Sequence, residues 1–338
     1  MQTPNLSNIF DTLVDPPGYE ASEPTFSARR IPGNPRVFVA RDLKSHACLI
    51  FDAGVPEGPR VPAIRLANLD AQFAVKCRLT EDAQTFVAGY YTIVRCTNPD
   101  SEVVRYFYGV GEALLQLVGD QFTHETLAHA VSRLADVFQK MSRPPSRSLN
   151  GLFGELFLIL RSKDVVSALS AWHLDSSARF DFVMGDQRLE VKTSAGRARI
   201  HTFSYDQCSP PEGTQALVAS LFVEHAAGGL SLEGVLREIS DRVGHRPDLI
   251  LKLHELTADA LGAQLASALL VEFDTRVSDA SLGVYEAASV PAVRGTLPGG
   301  VSEVRFRSDL GACTAVAADE IGRLGGLFAD LLGNWRNL

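Results

Sequence analysis

Apolar positions recur along this chain with two different periods, and the change from one to the other organises it. Up to about residue 105 the apolar runs are short and rich in β-branched and aromatic residues. Arg36–Ala40, Ala47–Phe51 and Phe86–Val94 predict strands, with Gly89 as the expected position of a bulge. Helical spacing follows in Leu114–Val118 and more clearly in Leu127–Phe138, which Pro144-Pro145 terminates. Leu152–Leu160 is apolar everywhere except Gly154 and Glu155, the pattern of a helix buried on all sides. Ala216–Val223 is a nearly continuous apolar run, as in a strand covered on both faces. Leu230–Val243, Asp248–Leu270 and Ala317–Leu332 predict helices, and Val271–Phe306 predicts short strands broken by Pro291, Pro298 and Gly299-Gly300. The pattern predicts an α/β chain in three parts. These are a β-rich N-terminal domain over 1–110, a core with its leading helices over 111–225, and a helical and α/β region over 226–338. Within the second part, Pro144-Pro145 marks a boundary before the core proper.

One segment of that core reads as a hairpin with chemistry on it. Gly185-Asp186 makes a two-residue loop, with glycine in the first central position that a type II′ turn requires. Met184 then faces Gln187, Phe182 faces Leu189, and Asp181 is expected opposite Glu190, with Cβ atoms about 4.5–5.5 Å apart. Lys192, two residues past Glu190, shares its face, while Phe182, Leu189 and Val191 point to a core.

Two carboxylates held so close repel unless a cation lies between them. A hard divalent ion takes oxygen ligands, typically one or two carboxylates with water and substrate phosphate. A lysine alongside can hold or activate a water near a scissile phosphate, so the layout suits metal-assisted phosphodiester hydrolysis. The other reading of the same three residues is a salt-bridged hairpin at the surface. Glu155, forced into the interior by its helix, is either a further ligand or a buried acid paired to an arginine. Gly154 beside it permits close approach of a neighbouring backbone. Arg199–Phe203 predicts a third strand, with Arg199 and His201 on one face. Those two either meet phosphate and the attacking water or form a structural face, and Gln207 lies just beyond.

Asp181-x(8)-Glu190-x-Lys192 on a hairpin, preceded by the Glu155 helix, resembles the PD-(D/E)XK nuclease superfamily. The resemblance implies a restriction-endonuclease-like core, helix, three strands, helix, strand, over about 145–225. One departure stands out: Ser204–Thr214 contains Pro210-Pro211 and Gly213, leaving room for only a very short helix. Within the superfamily the chain is similar to PD-(D/E)XK motif proteins encoded in bacterial restriction-type clusters beside a DNA methyltransferase and a helicase-like ATPase. Asn150–Leu156, Phe180–Phe182, Glu190–Ser194 and Arg199–Ser204 carry that similarity, and Gly299–Phe306 fits the group's C-terminal part. It implies a DNA endonuclease of a defence system, dependent on Mg²⁺ with Mn²⁺ as a substitute. Glu155, Asp181, Glu190 and the Val191 carbonyl would hold the metal, and Lys192 would position the attacking water. Arg197, Arg199, His201 and Gln207 would contact nucleic acid. Two rival expectations are a silent nucleic-acid-binding or scaffold subunit and a nuclease acting on RNA or branched DNA.

Composition narrows the setting. In 338 residues, 46% hydrophobic and 21% charged is ordinary for a globular chain, and no apolar run approaches the roughly 18 residues of a membrane span. Met1–Ser27 lacks the basic-then-apolar order of a signal peptide. Five scattered cysteines without a CxxC pair argue against a disulfide framework or a zinc site, and so for a reduced cytoplasm. The histidines form no metal-ligand pattern, and no P-loop, GxSxG or HExxH is present. A net charge of −8 weakens unaided DNA binding despite basic clusters at Arg143–Arg147 and at Lys192, Arg197 and Arg199, so a loading partner is expected. A homodimer is one route to cutting both strands.

Overall fold

The computed structural model describes residues 5–16, 23–55, 61–81, 86–173 and 179–333. Parts of the Met1–Ser27 segment therefore lie outside the described residues. The chain forms two compact units, one of residues 1–144 and 245–266, the other of 145–244 and 267–338.

In the first unit the elements are α1 (Leu6–Asp11), β1 (Thr25–Ile31), β2 (Asn34–Arg41), β3 (Ala47–Phe51), β4 (Ile64–Arg65), β5 (Leu69–Thr80), β6 (Phe86–Cys96), α2 (Ser101–Val118), α3 (His124–Lys140) and α7 (Pro247–Leu261). Five strands run in the order β1-β2-β3-β6-β5, and a parallel β1–β5 pairing closes them into a small barrel. Period-two alternation sends Phe26, Ala28, Phe38, Ala40, Cys48, Ile50, Cys77, Leu79, Tyr91 and Ile93 into one core. Residues of the opposite phase, such as Val39 and Leu49, are buried too. There α2 lies so close that a Cβ on Gly111 would come within 2.7 Å of Leu49 Cδ1. The ladder slips on β5 between Gln72 and Val75, where Ala74 has φ 52°, and not at Gly89, which pairs regularly with Cys77. Glycine at 89 instead leaves space for the Tyr91 ring, 3.0 Å from where a Cβ would stand. Helix α7 joins this unit, with the Tyr106 hydroxyl donating to the His254 carbonyl and Arg133 paired with Glu255.

In the second unit the elements are α4 (Leu149–Arg161), α5 (Val165–Ala171), β7 (Phe182–Met184), β8 (Gln187–Ser194), β9 (Ile200–Ser204), β10 (Gln215–Phe222), β11 (His225–Ser231), α6 (Leu232–Val243), β12 (Glu272–Phe273), α9 (Thr275–Ser281), β13 (Gly283–Glu286), β14 (Arg305–Asp309), α10 (Ala318–Leu324) and α11 (Gly326–Leu332). A short α8 (Leu265–Leu269) spans the unit boundary. The main sheet has the order β13-β10-β8-β7, with β8 and β10 parallel and the outer pairs antiparallel. Helix α4 is covered by β8, α5, α6 and α11, which explains why it is apolar all round. The molecule is thus a mixed-sheet α/β core flanked by helices, with a β-rich N-terminal part and an α/β C-terminal part.

Three expectations need correction. The compact units do not follow boundaries at 110 and 225, because helical faces choose partners distant in sequence. The third strand, β9, pairs antiparallel with β14 in a separate ribbon and is not in the main sheet. The closing helix is two helices, broken where Gly325 and Gly326 take φ 65° and 53°. The buried Gln187 side chain donates there to the carbonyls of Leu324 and Gly325. The link between β9 and β10 holds a single 3-10 turn, Tyr205–Gln207, in keeping with its prolines.

Candidate active site

The hairpin forms in the expected register, Phe182↔Leu189, Val183↔Arg188 and Met184↔Gln187. Of the two loop residues only Gly185 has a positive φ, 56°, as a type II′ turn demands. The ladder stops at Phe182, however, so Asp181 does not stand over Glu190 as a cross-strand pair. Its backbone is pinned by the His173 N–H, and its side chain turns onto the edge of β8. There Oδ2 accepts from the Val191 N–H at 2.8 Å. A residue's N–H and C=O leave a strand on the same edge, so the Val191 carbonyl opens toward Asp181 as well.

Glu155 reaches the same place from α4. A Cβ on Gly154 would sit 2.3 Å from Thr193 Cγ2 and 3.4 Å from Val191 Cγ1, so only glycine lets this helix lie directly on β8. Glu155 is buried, and its Oε2 accepts from Trp172 Nε1 at 2.7 Å. Its other oxygen meets Arg147, whose Nη1 lies 2.7 Å from Glu155 Oε1 and 2.9 Å from Asp181 Oδ1. One nitrogen thus bridges the two acids.

Glu190 and Lys192 share a face of β8 as the alternation requires, and Lys192 Nζ donates to Glu190 Oε1 at 2.6 Å. The ammonium also lies 5.1 Å from the centre of the Phe203 ring and 3.4 Å from Gln207 Oε1. Gln207 is fixed in turn by the Ser204 N–H and by its own donation to the Arg179 carbonyl. Lys192 is therefore held on three sides.

The electrostatics are those of too many acids. Burial first, and then the charge of Asp181, push Glu155 well above the usual carboxylate range despite Arg147. The same two causes push Glu190 up to about 7 despite Lys192. Three carboxylates share two cations in a buried place, and protons make up the difference. Among the described residues no three His, Cys, Asp or Glu side chains already form a ligand group for a metal, since Arg147 occupies the convergence of two and Lys192 holds the third. The donor set still suits a hard divalent ion: it is all oxygen, short of positive charge, and two of its oxygens already converge on one cation.

The residues expected at nucleic acid divide into two groups. Arg197 is exposed, with Glu224 at 3.9 Å, and Gln207 is at the lysine. Arg199 and His201 are turned inward, which corrects the expectation that both present themselves to phosphate. Arg199 donates to the carbonyl and hydroxyl of Ser220 and to the Ser281 carbonyl. His201 Nε2 lies 2.8 Å from Ser220 Oγ, and burial, with Lys192 and Arg199 nearby, lowers its pKa to about 4. It stays neutral, holding the ribbon to β10.

Sequence reasoning placed Arg147 in a basic cluster and missed its partners, and it missed Trp172 altogether. The signal for Arg147 was its position just before Ser148, the N-cap of the helix that bears Glu155.

A family model described as "Putative PD-(D/E)XK family member, (DUF4420)" matches residues 6–311. No curated protein and no solved structure gives a match.

Proposed function

Because this chain belongs to that PD-(D/E)XK-related family, we propose that it is a Mg²⁺-dependent endodeoxyribonuclease, with Mn²⁺ as a substitute, serving a bacterial restriction or phage-defence system. The observation that carries the reading is Lys192 fixed beside Glu190 on the same strand whose edge receives Asp181. Glu155, Asp181, Glu190 and the Val191 carbonyl would hold the ion. When bound, it supplies positive charge to the phosphate oxygens and makes a coordinated water more acidic. Lys192, restrained by Gln207 and the Phe203 ring, donates to the attacking water and orients it in line with the scissile bond. Asp181 is oriented by the Val191 N–H, and Glu155 by Trp172. Arg197, exposed beyond the hairpin, would meet the backbone phosphates.

The net charge of −8 supports a chain that is loaded onto DNA by others, which by resemblance to the cluster-encoded group would be a helicase-like ATPase and a DNA methyltransferase, in the cytoplasm. Among the described residues no helix is long and apolar enough to cross a membrane. A homodimer would bring a second active site for the opposite strand.

A second reading has one observation in its favour. Arg147 satisfies Glu155 and Asp181 without a metal, as it would in a silent nucleic-acid-binding subunit. Plasmid nicking with Mg²⁺ and with a chelator separates the two. The nuclease reading expects Mg²⁺-dependent nicks that vanish in Asp181→Ala, and metal-induced thermal stabilisation that vanishes with them. Wild-type protein that never nicks, with or without the motor and ATP, leaves the silent reading standing. RNA and branched DNA offered in the same assay define the substrate.

A further inference from the structure

Arg147 is placed differently from every other charged group at the site. Glu155, Asp181 and Glu190 side chains are 4–6% exposed, whereas that of Arg147 is 27% exposed. It projects from a bend ahead of the Ser148 N-cap, outside any helix or strand, and reaches inward from the surface. Lys192, by contrast, springs from the middle of β8 and is held by an acid, an amide and a ring. Among the described residues, the oxygens that converge on Arg147 Nη1, Oε1 of Glu155 and Oδ1 of Asp181, are the ones not committed elsewhere, since Oε2 is bonded to Trp172 and Oδ2 to Val191. The guanidinium therefore stands where the free oxygens of two proposed metal ligands meet.

Resting on the nuclease reading above, we propose that Arg147 is a resident cation which a divalent metal displaces, and that the displaced guanidinium binds a phosphate of the nucleic acid. A divalent ion bound to those two oxygens and a guanidinium within 3 Å of the same oxygens would repel each other at contact distance. The two occupants are mutually exclusive. Once out, Arg147 has a planar fork of donors suited to phosphate, at the mouth of the site and on the surface side. Nucleic acid draws the arginine outward and so opens the metal site, while metal pushes it outward and so strengthens the grip on nucleic acid. Linkage makes the two effects equal. In the absence of substrate the arginine keeps the buried acids compensated and competes with the metal, which weakens metal binding until the complex is loaded.

The test is calorimetric titration of the full chain with Mn²⁺ alone, and again in the presence of a duplex oligonucleotide with non-hydrolysable linkages. Wild-type protein is expected to bind Mn²⁺ at least about fivefold more tightly with the duplex present. Arg147→Ala is expected to bind Mn²⁺ about tenfold more tightly than wild type without duplex, and to lose the coupling. Thermal melts supply a second readout: in chelator Arg147→Ala melts below wild type, and Mn²⁺ raises its melting temperature more than it raises that of wild type. A variant that folds only with Mn²⁺ supports the proposal, because the metal then replaces the guanidinium. A variant that folds under neither condition overturns it, as does one whose Mn²⁺ affinity equals or falls below that of wild type. Absence of duplex coupling in the wild type also overturns it. Asp181→Asn separates this failure from the larger one. If Mn²⁺ binding depends on Asp181 but not on Arg147, only the displacement is wrong; if it depends on neither, the metal-site reading falls and takes the displacement with it.

Discussion

The barrel of the first unit and the four-stranded sheet of the second bury their strands with opposite chemistry. Inside the barrel the alternating positions are Phe26, Ala28, Phe38, Ala40, Cys48, Ile50, Cys77, Leu79, Tyr91 and Ile93, an apolar core in which, among the described residues, no carboxylate is enclosed. Burial pushes the Cys77 thiol up to about 12, so it stays protonated and packs as a small hydrophobe. On the sheet of the second unit, Asp181 and Glu190 are buried almost as completely as these core residues, and Glu155 is pressed in by a helix that only Gly154 allows so close. The barrel keeps apolar residues at its core-facing positions, while the second unit breaks that rule at three acids. Such violations persist where function requires them. Under the proposed function, the contrast assigns the cleavage chemistry to the second unit.

The largest test of that contrast is Lys192→Ala. It should lower cleavage by about 10²-fold or more, the size of a lost proton-handling group. Duplex affinity and melting temperature should stay near wild type, and wild-type cleavage would dismiss the lysine from the chemical step. Ile50→Ala, in the barrel, should do the reverse. Loss of a fully buried side chain costs about 2–5 kcal/mol, read as earlier denaturant unfolding, with the cleavage rate of the folded fraction unchanged.

Gly154→Ala sharpens the boundary between the two behaviours. Its Cβ must displace Thr193 or lift α4, costing about 1–3 kcal/mol, and lifting α4 moves Glu155, so stability and cleavage should fall together. Loss of stability with undiminished cleavage would show that the Glu155 position is not catalytically set.

The smallest effect is a slope. Glu190 is raised to about 7 from an ordinary 4.5, chiefly by burial. The folded state therefore holds a proton that the unfolded state has released, and the stabilisation this provides is full below about pH 4.5 and lost as pH rises through about 7. Metal-free wild type should lose stability across that window more steeply than Glu190→Gln, as measured by chemical denaturation at several pH values. Parallel curves would contradict the buried, proton-holding state of this acid. Mn²⁺ affinity should rise over the same window, because a ligating carboxylate must shed its proton.

Local pattern determined much of this protein. The II′ turn, the register of β7 on β8, the shared face of Glu190 and Lys192, and the buried α4 with its glycine all follow from spacing of a few residues and from backbone sterics. Strands β1 and β5 were not legible: β5 mixes Asp70, Gln72, Lys76 and Arg78 among its apolar residues, and only the closed barrel makes one face of it a core. The pairing of β9 with β14, about a hundred residues on, and the capture of α7 by α2 and α3 were equally hidden, because periodicity marks an apolar face and not its partner. The same holds for charge. Sequence marked Asp181, Glu155 and Arg147 as charged or buried, but tertiary structure alone determined that one guanidinium nitrogen would lie between the two acids, since Coulomb's law depends on distance in space and sequence records only distance along the chain.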